Sequence, residues 1–94
     1  MTTEQIKKSF QKTIGAIRKE RNDSFPKAMM TGQQMAKNTA TVNCGGEWRS
    51  AEKSLEIAKA TATDPRFLVF LAECDAKAKI EPNPFGGYQI RIYY

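Results

Sequence analysis

Ninety-four residues, 40% hydrophobic and 27% charged, suit one globular domain over 1–94 with a modest core, outside the low-hydrophobicity range of disordered chains. The longest apolar run, Phe67 to Ala72, falls far short of the ~20 residues that span a bilayer, so no transmembrane helix and no membrane partner are expected. The chain has no histidine, which excludes Ser-His and Cys-His nucleophiles and the usual zinc sets, while its net charge of +5 favours polyanionic or acidic partners.

The opening Met-Thr-Thr-Glu-Gln lacks the apolar segment of a secretory signal. Glu4, with no arginine before Arg18, argues against a mitochondrial-type presequence, so a cytoplasmic, reducing location is expected. There Cys44 and Cys74 read as two buried thiols, with a disulfide between them as the alternative.

Thr2 and Gln5 have the form of a capping box, and Ile6, Phe10, Ile14 and Ile17 recur at helical spacing, which predicts a helix over 3–22. At 100° per residue Lys8, Lys12 and Lys19 share the opposite face with Gly15, while Lys7, Arg18 and Arg21 flank the apolar stripe. Six basic and two acidic side chains give this helix +4 of the net charge of +5. Gly15 marks either close approach by a partner's backbone or a tolerated defect.

Asn22-Asp23-Ser24 stops that helix, and Pro26 in a first turn suggests a second helix over 27–37, weakened by Gly32. Its Met29, Met30 and Met35 form either an adaptable binding surface or core filler. From Thr39 the pattern alternates, placing Ala40, Val42 and Cys44 on one side of a short strand and Thr39, Thr41 and Asn43 on the other. Gly45-Gly46 ends it. A helix over 47–61 is expected next, with Trp48, Ala51, Leu55, Ala58 and Ala62 inward and Arg49–Glu52, Lys53–Glu56 and Glu56–Lys59 pairing outward. Asp64-Pro65 opens a short helix over 66–75 whose run Phe67 to Leu71 is deeply buried; a buried strand is the rival reading. Finally, Lys77 to Tyr94 alternates around Pro82-Asn83-Pro84-Phe85-Gly86-Gly87 as a β-hairpin. The register that buries Ile80, Ile90 and Ile92 turns Lys77, Lys79, Gln89, Arg91 and Tyr93 outward as a second basic surface. The whole is an α+β domain: a basic N-terminal helix and two or three further helices packed on a small antiparallel sheet that ends in this hairpin.

No Walker A or GxGxxG motif occurs, and Cys44-Gly45-Gly46 before a helix serves either as a strand-to-helix turn or as an anion and thiolate site. No catalytic residue, cofactor or metal is expected, so the chain reads as a small binding protein and not an enzyme. Lys7, Lys8, Lys12, Arg18, Lys19 and Arg21 are candidates for nucleic acid, a nucleoprotein complex or an acidic protein surface, with Lys77, Lys79, Arg91 and Tyr93 as a second set. Four to six phosphate contacts would give a log-log salt slope of about −3.6 to −5.4. The alternative is a protein inhibitor that docks on a host protein through Phe85, Met29 and Met30. In size and character, though in no matching residues, the chain resembles small phage and mobile-element proteins that dock on host nucleoprotein machinery, anti-CRISPR and anti-nuclease proteins among them.

Overall fold

The computed structural model describes residues 2–21, 27–29, 39–45 and 50–94, with the backbone alone for Thr3, Arg18, Arg21 and 27–29. In chain order these form α1 (Thr3–Arg21), β1 (Lys27–Met29), β2 (Thr39–Asn43), α2 (Ala51–Ala62), α3 (Pro65–Glu73), β3 (Lys77–Pro82) and β4 (Tyr88–Tyr93). The strands make one antiparallel sheet in the order β1-β2-β4-β3, so the fold is α+β, and its last strand lies between β2 and β3. The register aligns Ala40, Ile92 and Ala78 in one row and Val42, Ile90 and Ile80 in the next. These rows meet Ile6, Phe10, Ile14 and Ile17 of α1, Ile57 and Ala58 of α2, and Phe67 and Phe70 of α3 in a single core. All three helices therefore cover one face of the sheet. Each fully buried phenylalanine contributes about 1.5–3 kcal/mol of transfer free energy.

Local chemistry sets the helix ends. Thr2 and Gln5 form the reciprocal box: the Thr2 amide donates to Gln5 Oε1 at 2.8 Å and the Gln5 amide to Thr2 Oγ1 at 3.2 Å. Ser50 caps α2 by accepting from the Lys53 amide at 3.1 Å. Asp64 caps α3, with Pro65 in its first turn, and accepts from the Arg66 amide at 2.9 Å. At the other end of α3, the Ala76 amide reaches back to the Leu71 carbonyl at 2.8 Å while Asp75 adopts φ 50°. That is a Schellman stop with aspartate in the left-handed position. Residues 66–73 are thus helical, which removes the strand alternative.

Four expectations need correction. The helix proposed over 27–37 is not what its first residues form. Lys27–Met29 pairs with β2 instead, Ala28 opposite Val42, because the ladder outweighs the helix propensity of lysine, alanine and methionine, which amounts to only tenths of a kcal/mol per residue. Residues 30–38 lie outside the described residues. Second, α2 begins at Ala51, and it buries Ser54, Ile57, Ala58 and Thr61 while Ala51 is exposed. Two buried hydroxyls define that face because each has a partner: Ser54 Oγ accepts from the Tyr88 amide at 2.8 Å, and Thr61 Oγ1 donates to the Ile57 carbonyl at 2.8 Å. Trp48 and the Arg49–Glu52 pair lie outside the described residues; Lys53 and Glu56 do pair, at 3.8 Å. Third, the run Phe67 to Leu71 is not buried throughout. A helix turns its residues to all sides, so Phe67 and Phe70 enter the core while Leu68 and Val69 face outward, 50% and 56% exposed. Fourth, Gln89 is buried, held by Glu81, and does not face solvent.

Cys44 and Cys74 are both thiols. Cys44 lies within the core, where its Sγ–H donates to the Val42 carbonyl at 3.7 Å, and the next helix starts only at Ala51. Gly45 serves packing: a Cβ there would collide with the Gly86 carbonyl. Among the described residues, no helix is long and apolar enough to cross a membrane.

Candidate functional site

Burying Ile6, Phe10, Ile14 and Ile17 turns the opposite side of α1 to solvent, where Lys8, Lys12 and Lys19 are all exposed. Among the described residues, no carboxylate lies within ion-pair range of these three. Gly15 sits among them, and a Cβ built on it meets nothing within 4 Å. Lys7 is half-buried at the edge of the apolar stripe. Arg18 and Arg21 belong to α1 by their backbone, and their side chains lie outside the described residues. Glu20 is engaged elsewhere. Its carboxylate pairs with Arg66 of α3, whose guanidinium also forms a fork on Asp64 at 2.9 and 3.0 Å. The bonds to Asp64, outweighing partial burial, and that to Glu20 push the Arg66 pKa further up, so this charge is permanent. The clamp ties the end of α1 to the start of α3 and leaves the lysine row uncompensated.

The second basic set is differently built. Lys77, Lys79, Arg91 and Tyr93 share the sheet face away from the helices, since Lys77 pairs with Tyr93 and Lys79 with Arg91. Glu81 stands on that same face and accepts from Arg91 Nε at 2.6 Å and from Gln89 Nε2 at 2.8 Å. Partial burial pushes the Glu81 carboxyl up, but the hydrogen bonds from Gln89 and Arg91 outweigh it and hold the group below the usual carboxylate range. Arg91 is therefore locally neutralised. Lys77 and Lys79 are exposed on β3, which ends the sheet, where lysines discourage pairing with another chain. Neighbouring Thr39 and Thr41 of β2 are buried. Lys8, Lys12 and Lys19 thus lie on the opposite side of the sheet from Lys77 and Lys79.

Phe85 is 91% exposed and is not tucked back on the hairpin. Its turn is braced from within. Asn83 Oδ1 accepts from the Phe85 amide at 2.8 Å, the Asn83 amide donates to Gly87 O at 2.9 Å, and Asn83 Nδ2 donates to Asn43 Oδ1 at 2.9 Å. Met29 occupies a β1 register position opposite Thr41, and Met30 lies outside the described residues.

Sequence reasoning missed a groove between α1 and α3. Ser9, Thr13 and Ala16 form one wall, Pro65 and Val69 the other, and Phe70 the floor; Lys12, Arg66 and Glu73 complete a lining that encloses about 430 Å³. Beneath the floor, the Phe10 ring meets that of Phe70 at 5.7 Å between centroids, the two inclined at 53°. The signal was present in α3, whose apolar residues occupy more of its circumference than one buried stripe requires. No protein-family model, curated protein or solved structure matches the chain, so its surfaces are read from their own chemistry.

Proposed function

We propose that this chain is a non-catalytic binding protein that engages nucleic acid, or the nucleic-acid surface of a nucleoprotein complex, through the outward face of α1. The observation that supports this reading is the exposed, uncompensated row Lys8, Lys12 and Lys19, with open backbone at Gly15 between them. At about 1.5 Å per residue the row extends about 16 Å, enough to follow several phosphates. Three such contacts give a log-log salt slope of about −2.7, and each flanking arginine that joins adds about −0.9. Mobility-shift titrations over salt with duplex DNA, single-stranded DNA and RNA test the reading. The wild type should shift at least one probe at about 50 mM salt, and the triple variant K8E/K12E/K19E should shift none. No shift by the wild type with any probe would overturn it.

A second reading is favoured by Phe85, because an aromatic that exposed on a braced turn has the form of a docking anchor. In this reading the chain is an inhibitor of a host protein, of the anti-CRISPR or anti-nuclease kind. Capture of a partner from host lysate, with and without nuclease treatment, separates the two. Loss of capture in F85A, with retention in K8E/K12E/K19E and after nuclease, selects the inhibitor.

A further inference from the structure

We propose that the groove between α1 and α3 is a docking site for an acidic amphipathic helix of a partner protein. The proposal goes beyond the nucleic-acid reading, with which it shares Lys12. Two observations converge on it. First, α3 is apolar on both sides: Phe67 and Phe70 enter the core, while Leu68 and Val69 remain 50% and 56% exposed. Of the two, Val69 lines the groove, so apolar surface of α3 stands open there among the described residues. Second, the groove running beside Val69 has an apolar floor and a basic rim. Lys12 lines it, and Lys8 and Lys19 continue the same row along α1.

Charge chooses the occupant. Arg66 at one end is held by Asp64 and Glu20, Glu73 stands on the α3 side, and Lys12 stands on the α1 side, so the groove's positive flank is α1. A second copy of this chain would bring another net +5 and the same lysines against that rim. Nucleic acid satisfies the lysines but wastes the apolar floor, and a small molecule fills the hollow without reaching along the row. A helix with apolar residues at i, i+3, i+4 and i+7 and glutamates on one flank uses both. Its glutamates would lie over α1, away from Glu73.

The test uses the whole chain and two fluorescein-labelled peptides of identical leucine, glutamate and alanine composition, one with the helical period and one scrambled. Fluorescence anisotropy should show binding of the periodic peptide below about 1 mM and none of the scrambled one. V69E and V69S should each weaken binding about tenfold or more without lowering the melting temperature, since this side chain lines the groove and is half exposed. Amide shifts should centre on Ser9, Thr13, Ala16 and Val69. The proposal is overturned if the periodic peptide fails to bind, if both peptides bind alike, or if neither variant matters. It is equally overturned if sedimentation reveals a dimer that V69E dissolves, or if duplex DNA perturbs the Val69 and Phe70 amides of α3. V69E leaves the lysine row intact, so a loss confined to the peptide concerns the groove, and a loss of DNA shift in K8E/K12E/K19E concerns the lysine face.

Discussion

Gly15 lies within α1 and Gly45 just past β2, and they answer to opposite constraints. Gly45 is fixed by contact, since any side chain there meets the Gly86 carbonyl, and Gly87 combines φ 73° with Ser54 Oγ only 2.7 Å from where its Cβ would lie. Gly15 has ordinary helical geometry and empty space above it. Within the fold it is therefore a defect: glycine costs about 1 kcal/mol relative to alanine in a helix interior. G15A should raise the unfolding free energy by about that amount, measured by urea denaturation. If the same variant also shifts nucleic acid less well, close approach of the ligand to the α1 backbone is the reason the glycine is there.

Strand β3 shows how an element can look functional while meeting a structural need. Lys77 and Lys79 guard a sheet edge, and Glu81 between Gln89 and Arg91 ties β3 to β4. Because folding favours the ionised Glu81, its contribution is complete above the ordinary carboxyl pKa of about 4.3 and is lost as pH falls through the lower folded value. E81Q should therefore lower the melting temperature at pH 7, and the gap from wild type should close below about pH 4. Thermal melts across pH measure it; a gap independent of pH would mean that Glu81 acts by packing alone.

At the scale of the whole molecule, what the sequence makes legible are the elements whose local rules agree with their surroundings. The capping box at Thr2 and Gln5, the stripe of α1, the Asp64-Pro65 start of α3 and the hairpin register all follow from short-range chemistry. The misreadings of 27–29 and of α2 are long-range. Lys27–Met29 becomes strand only because β2 supplies a ladder, and α2 turns Ser54 inward only because Tyr88, far along the chain, offers an amide. Of the candidate site, the lysine row was legible because helical angle alone decides it. The opposed placement of the two basic sets was not, since it depends on which sheet face the helices cover. Nor was the groove, which exists only once α1 and α3 lie side by side.

The strand order carries a consequence for biosynthesis. β4 is the last strand to leave the ribosome, yet it occupies the interior of the sheet, where Thr39 must find Tyr93 and Asn43 must find Gln89. Until residues 88–93 emerge, β2 and β3 have no shared neighbour, and the apolar sides of α1, α2 and α3 wait for Ile90 and Ile92. Pairings this distant in sequence fold slowly and expose the chain to wrong partners meanwhile. The lysines of α1, made before any strand of the sheet, keep that part of the nascent chain charged during the interval.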